Sequence, residues 1–250
     1  MPSLIAVVLT YNEEKHIQGC LQTLQFADDR LVFDSFSTDD TVARSTAMGV
    51  QVVQHKFDDY ASQRNAALEA VKDKYDWVLF VDADERVTPA LAEEVRRVIE
   101  LPENVAWGIP RHNYLFRKLT LGAGWYPDYQ TRLLRVDRVH YDESRKVHEL
   151  VICDGPSGQL QNHFIHYNYC TLDQFMQKQR QYSSYDARIL ADQGIHPKPQ
   201  NYILQPLRQF RWRYVELGGY KEGWHGLRLS LLMAYYEFVK YLKLRQFSRT

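Results

Sequence analysis

Trp77-Val78-Leu79-Phe80-Val81-Asp82-Ala83-Asp84-Glu85 is the stretch that decides the fold. Five apolar residues in a row, with no polar alternation, mark a strand covered on both faces, as strands inside a parallel sheet are. That strand runs straight into carboxylates. The i, i+2 spacing puts Asp82 and Asp84 on one side of an extended chain. The end of a parallel strand is also the sheet edge where α/β proteins bind ligands. Two carboxylates drawn out of water at one edge call for a cation, and a divalent metal sharing its shell with a diphosphate satisfies both. The plainer reading is that Asp82 and Asp84 cap the following helix.

Working outward, residues 4–9 form a second continuous apolar run, and 31–33 and 52–53 are shorter strands. Helical patterns fall between them at 13–24, from the Ser37–Thr41 cluster to about 48 with Gly49 as the stop, and at 60–71. A further helix over 89–99 starts with Pro89 at its first position. This alternation implies right-handed βαβ units and a mostly parallel sheet. Beyond Pro102 the rhythm changes. Residues 106–110, 129–136, 146–152 and 164–169 read as strands separated by polar loops, a mixed and partly antiparallel second half. Helical patterns return at 172–191, 203–214 and 224–244, the last two after a Gly/Pro-rich linker at 194–199.

Composition excludes several classes. With 45% apolar and 25% charged residues the chain is globular, neither low-complexity nor disordered. Its three cysteines are widely spaced, which argues against a disulfide framework or a cysteine zinc site. The first residues lack the basic region of a signal peptide, and no apolar run approaches a bilayer span. The expectation is a cytoplasmic protein. The net charge of zero hides an asymmetry: residues 1–105 carry 10 Lys/Arg against 19 Asp/Glu, and residues 202–250 carry 9 against 3. No nucleic-acid motif accompanies the basic tail.

Polar clusters follow the first two strands, at Thr10-Tyr11-Asn12-Glu13-Glu14 and Asp34-Ser35-Phe36-Ser37-Thr38-Asp39-Asp40-Thr41. Ends of successive parallel strands converge on one crevice, where Asp34 could accept from a uracil N3–H and turn N–H groups could face a phosphate. Arg64, in Ser-Gln-Arg-Asn, adds a five-donor cation near the same edge. Helix capping and solvated helix surface are the structural alternatives.

Taken in order, VVLTYNEE, FDSFSTDDT, SQRNAAL and FVDADER, followed by Pro127–Arg135, Val147-His148-Glu149 and His166-Tyr167, resemble the family 2 glycosyltransferases of GT-A fold. Within that family the chain looks most like bacterial lipopolysaccharide or lipooligosaccharide core β-1,4-glucosyltransferases. The resemblance implies a GT-A domain over 1–170, with a nucleotide-sugar half at 1–105 and an acceptor half at 106–170, and a helical extension over 171–250. It implies that Thr10, Tyr11, Glu13, Asp34, Arg64 and Asp82 hold a UDP-sugar. Asp82 and Asp84 would hold Mg²⁺ or Mn²⁺. The reaction implied is inverting transfer of a hexose, glucose above all, to a lipid-linked core oligosaccharide. Asp40 departs from the family, which has Gly at that turn, so a local adjustment toward left-handed geometry is expected there.

The acceptor hydroxyl needs a base, and Glu149 is favoured over Asp128 by its place after the Arg132–Arg135 segment. Salt bridges to Arg132, Arg135 or Arg145 are the structural alternative for both. His148 and His166 read as hydrogen-bonded loop or core residues and stay outside the metal set. Trp125 and Tyr126 suit a loop that stacks on an acceptor sugar, or a packed aromatic pair. In the tail, Leu227, Leu231, Tyr235, Phe238 and Leu242 recur at helical spacing with Lys240, Lys243, Arg245 and Arg249 near the end. That stripe either packs on its own domain or lies on anionic lipid at the cytoplasmic face of the inner membrane. The rival functions are transfer to another glycan, such as a capsule, exopolysaccharide or protein glycan, and a silent nucleotide-sugar-binding protein.

Overall fold

The computed structural model describes residues 1–101, 103–144 and 150–247. Along the chain run β1 (Leu4–Thr10), α1 (Ile17–Gln22), β2 (Asp29–Asp34), α2 (Thr41–Ala47), β3 (Gln51–Gln54), α3 (Tyr60–Val71), β4 (Trp77–Asp82), β5 (Glu85–Val87) and α4 (Pro89–Val98). There follow β6 (Ala106–Leu115), β7 (Lys118–Thr120), β8 (Tyr129–Arg135), β9 (Val139–Tyr141), β10 (Val151–Cys153), β11 (Ser157–Gln159), β12 (Phe164–Tyr169), α5 (Leu172–Asp192), α6 (Asn201–Arg211) and α7 (Trp224–Phe247). Two compact units result: residues 1–111 with 128–166, and residues 112–127 with the chain from Tyr167 onward. This differs from a division at 170, because the 112–127 excursion groups with the tail.

In the first unit β3, β2, β1 and β4 lie side by side and parallel, then β8 joins β4 antiparallel and β6 joins β8 antiparallel. The fold is α/β with the mixed second half that the change of rhythm implies. Alternate residues of the central strands feed two cores. Leu4, Ala6 and Val8 with Leu79 and Val81 pack on Ile17 and Leu21 of α1 and Leu91 and Val95 of α4. Ile5 and Val7 with Val78 and Phe80 pack on Ala61, Ala67, Leu68 and Val71 of α3. Each fully buried Leu or Phe here contributes about 1.5–3 kcal/mol, so the apolar run of β4 is anchored on both sides.

Two local differences from the sequence reading matter. Residues 13–16 form turns rather than the first helical turn, because Asn12 takes positive φ and the loop after it is tied to residues 37–41. Strand β4 ends at Asp82, and a turn carries Asp84 into β5, so the two aspartates do not share one extended strand. Neither of them caps α4. Thr88 does, accepting from the Leu91 N–H at 3.2 Å with Pro89 at the first helical position.

The second unit is helical. Thr171 and Gln174 cap α5 reciprocally, and Leu115, Tyr169, Phe175, Leu229 and Tyr236 form the core. The expected stripe of α7 is not its packing face: Leu229, Ser230, Ala234, Tyr236 and Leu244 are buried, while Leu231, Tyr235 and Leu242 are exposed. The rotation of α7 is fixed near its start, where Gly226 lies against the backbone of Gly219. Trp125 is packed, edge-on to Tyr169 and under the Arg213 guanidinium, so it is a core residue and not an exposed stacking platform. Tyr126 remains exposed beside His112. Among the described residues no helix is long and apolar enough to cross a membrane.

A methyl group at residue 226 would run into the Gly219 carbonyl oxygen. Gly226→Ala is therefore expected to lose about 1–3 kcal/mol of stability, measured by denaturant or thermal unfolding. A variant as stable as the parent would contradict this packing.

Candidate functional site

Strand register assembles the site. Thr10 stands opposite Asp34, and Leu9 opposite Asp82, so the ends of β2, β1 and β4 deliver their polar residues to one edge. Asp34 is fully buried. Its carboxylate accepts from the hydroxyls of Thr10 at 2.9 Å and Ser37 at 2.5 Å, from the Ser37 N–H at 2.9 Å and from the Gln54 amide at 3.3 Å. All four lone-pair positions are taken, so a uracil N3–H could reach Asp34 only by displacing one of these donors.

The two loops at this edge are laced to each other. The N–H groups of Asn12, Glu13 and Glu14 donate to the side chains of Ser37, Thr41 and Asp39, and the Thr38 N–H donates to Asn12 Oδ1 at 2.8 Å. These N–H groups serve the loops and do not face a phosphate, contrary to the sequence expectation. Tyr11 stands clear of the lacing, 62% exposed. Asp40, with φ −76°, needs no left-handed geometry; the positive φ values fall on Asn12 and Phe36 instead. The Asp40 carboxylate is exposed and pairs with Arg44 at 3.7 Å.

The centre of the site is a cluster of ions. On β4, Asp82 follows Phe80 on the face that packs against α3, and Arg64 of α3 lies over the Phe80 ring with its guanidinium 3.7 Å from Asp82 Oδ1. From β6 and β8, Arg111 and Arg132 both donate to Asp82 Oδ2, at 2.7 and 2.8 Å. Arg111 also reaches the fully buried Glu85, with Nε 2.5 Å from Oε1, and Glu85 Oε2 accepts from the Asp82 N–H at 2.9 Å. Burial pushes the Glu85 carboxyl up to about 7 against the pull of Arg111. Cys20 lies beneath, its thiol 3.6 Å from the Asp82 carbonyl, and burial raises its pKa.

One step along, β5 pairs with β12 so that Glu85 faces His166, and His166 Nε2 lies 3.5 Å from Asp84 Oδ2. His16 completes the rim; burial lowers its pKa while the Asp84 charge works the other way.

The sequence-predicted residues thus divide. Thr10, Asp34, Arg64, Asp82 and Asp84 come to one edge. Asp82, expected to hold both nucleotide and metal, has its oxygens facing three guanidinium groups. Asp84 is the carboxylate with an imidazole nitrogen beside it. Glu85 and Arg132 fall inside the motifs at 80–86 and 127–135 without a site role being read for them, His166 reads from sequence as a hydrogen-bonded loop or core residue, and Arg111 has no motif to announce it. Asp128 precedes β8, with Oδ1 accepting from Gln130 at 2.8 Å and its carbonyl accepting from the Arg111 N–H at 3.0 Å. Glu149 lies outside the described residues. Among the described residues no three His, Cys, Asp or Glu side chains converge tightly enough to enclose a metal ion.

The sequence matches the family described as glycosyl transferase family 2 over residues 5–164. The chain belongs to that family. As a family 2 glycosyltransferase it uses a nucleotide-sugar donor, and its architecture is the GT-A fold. A similar relative is the lipopolysaccharide core biosynthesis glycosyltransferase LpsC of Rhizobium meliloti, 27% identical over 97% of this chain and 92% of LpsC. An uncharacterized glycosyltransferase of Rickettsia typhi is 24% identical over 99% of this chain and 88% of its own. Among solved structures, a mannosyltransferase from Pyrobaculum calidifontis, bound to GDP-mannose and Mn²⁺, superposes with a TM-score of 0.58 at 14% identity. The match covers 97% of this chain and 87% of that one.

The buried Glu85 gives the site a pH signature. Its carboxyl ionises near 4.5 when unfolded and near 7 when folded, so the stability it contributes is full below 4.5 and is lost as pH rises through about 7. Glu85→Gln, which cannot ionise, should flatten the fall in unfolding free energy between these values. An unchanged slope would contradict the burial of this group.

Proposed function

We propose that the protein is an inverting, metal-dependent hexosyltransferase that moves glucose from UDP-glucose to a lipopolysaccharide core acceptor. The observation that carries this reading is the ion cluster at the carboxyl edge of the sheet. Three guanidiniums (Arg64, Arg111 and Arg132) stand with three carboxylates (Asp82, Asp84 and Glu85), and His166 borders them. With Glu85 ionised the cluster is formally neutral, so a nucleotide diphosphate entering it brings negative charge that needs a cation.

The residues present fit such a cation. Asp84 and His166 offer one carboxylate oxygen and one imidazole nitrogen on the same side, a hard and borderline donor pair suited to Mn²⁺ or Mg²⁺, with diphosphate oxygens to fill the shell. When bound, the metal would neutralise the departing diphosphate. Asp82 serves differently: fixed by Arg111 and Arg132, it presents those arginines and Arg64 to the nucleotide. Asp34 shapes the turn that carries Thr10 and Tyr11, and exposed Tyr11 is the side chain free to lie against the base. Glu13 supports the same loop through its N–H bond to Thr41.

Sugar transfer needs a base on the acceptor hydroxyl, opposite the leaving diphosphate. Glu149 holds that role by its place after β8, and Asp128 is the competing carboxylate, set beside Arg111 at the start of β8. The acceptor assignment rests on the near full-length likeness to LpsC. The silent-binding reading rested on Asp40, and its exposed position removes that ground.

Three variants test the reading through UDP release from UDP-glucose in the presence of core glycolipid. Asp84→Ala should abolish Mn²⁺-dependent turnover while circular dichroism stays unchanged; full activity would remove the metal from Asp84. Glu149→Gln should slow turnover by roughly 10²–10⁴-fold with UDP-glucose binding retained. If Asp128→Asn does so in its place, the base is Asp128.

A further inference from the structure

We propose that the second unit docks on an anionic membrane surface through the outward face of α6 and the π-helical turn, Trp212–Glu216, that continues it.

The large aliphatic side chains of this helix are not withdrawn from its surface. Neither α6 nor the turn after it has a single buried residue. Exposure repeats with helical period along its outer side: Ile203, Leu204, Leu207, Arg208, Arg211, Trp212 and Val215 point outward. The five apolar members are between 44 and 65% exposed. Glu216 is exposed with them, and the half-buried inner side mixes Gln205, Gln209 and Arg213 with Tyr202, Pro206, Phe210 and Tyr214, of which Tyr202 meets Phe238 of α7. A surface helix of a water-surrounded protein keeps its apolar stripe inward. Here five large apolar side chains face out, and a contiguous exposed patch of this kind marks a contact surface.

The chemistry of the face selects the occupant. Arg208 and Arg211 sit within the apolar stripe, one beside Leu207 and one beside Trp212. Long guanidinium stems can lie in an apolar layer with their heads at phosphate level, and tryptophan prefers the same depth. A hollow of about 390 Å³ opens at this place, walled by Arg208, Arg211 and Trp212 with the carboxylates Glu216 and Glu237. Arg211 is within 3.4 Å of Glu216, which leaves Arg208 as the uncompensated charge of the stripe. The surrounding segment 202–250 is basic, 9 Lys/Arg against 3 Asp/Glu. Aliphatic side chains, an interfacial tryptophan and excess positive charge are the signature of a helix lying in the plane of an anionic interface.

Sedimentation of the full chain with vesicles tests this. Phosphatidylcholine containing phosphatidylglycerol should carry the protein down, pure phosphatidylcholine should carry much less, and added salt should weaken the binding. Leu204→Ser with Leu207→Ser should lower vesicle affinity about tenfold or more, with UDP-sugar binding and thermal melting unchanged because both residues are exposed. Arg208→Gln should lower affinity for the anionic vesicles alone. The proposal is overturned if the parent protein does not bind the anionic vesicles, or if the double leucine variant binds them as well as the parent. It is also overturned if the parent is a dimer in solution that the leucine substitutions split, since the face is then a self-contact.

Discussion

Everything at the sheet edge depends on one buried ion pair, Arg111 with Glu85. A carboxylate with no solvent exposure costs several kcal/mol to keep charged, and Arg111 offsets only part of that, since burial still pushes the Glu85 carboxyl up. Because the same guanidinium also donates to Asp82, the pair sets the position of the carboxylate at the end of β4. Arg132 makes a second bond to the same oxygen from β8. The antiparallel half of the sheet therefore has a clear purpose. With Leu79 opposite Leu133, β8 turns Arg132 onto the Phe80 side of the sheet, where Asp82 and Arg64 already stand.

This arrangement separates two aspartates that a strand-end motif presents as equals. Asp82 is committed to guanidinium groups, and Asp84 is carried by a turn to His166. One carboxylate organises cations that belong to the chain. The other faces the space where a foreign cation and a diphosphate would sit. On the function proposed, donor binding would be a matter of charge balance, with the nucleotide and its metal entering together.

Much of the fold was legible because continuous apolar runs have one solution. Residues 4–9 and 77–81 are buried on both faces, and the helical patterns between them can only cross over in parallel. The helix over 60–71 and the strand over 164–169 coincide with α3 and β12. What escaped was set by tertiary contact. Helix α1 begins late because Asn12 takes positive φ and residues 14–16 form a turn, while side chains from residues 37–41 hold the N–H groups of residues 12–14. Helix α7 buries a face other than its most regular stripe because Gly226 fixes its rotation. In the site, Arg64, Asp82 and Asp84 were readable from local motifs, whereas Arg111 and His166 belong to strands distant in sequence. Only the pairing of β12 with β5 shows that His166 has a carboxylate partner. Arg111 lies just past the strand read over 106–110, in the part of β6 that the sequence pattern did not extend to.

The central claim, that Asp84 and His166 admit a diphosphate only with a divalent cation, is tested most directly by titration calorimetry. UDP-glucose would be titrated into the protein with and without Mn²⁺, beside UDP, GDP-mannose and a TDP-sugar. The structure predicts tight binding of the uridine ligands only with the metal present, and loss of that binding in His166→Ala. Equal binding without metal, or metal-dependent binding untouched by His166→Ala, would contradict it.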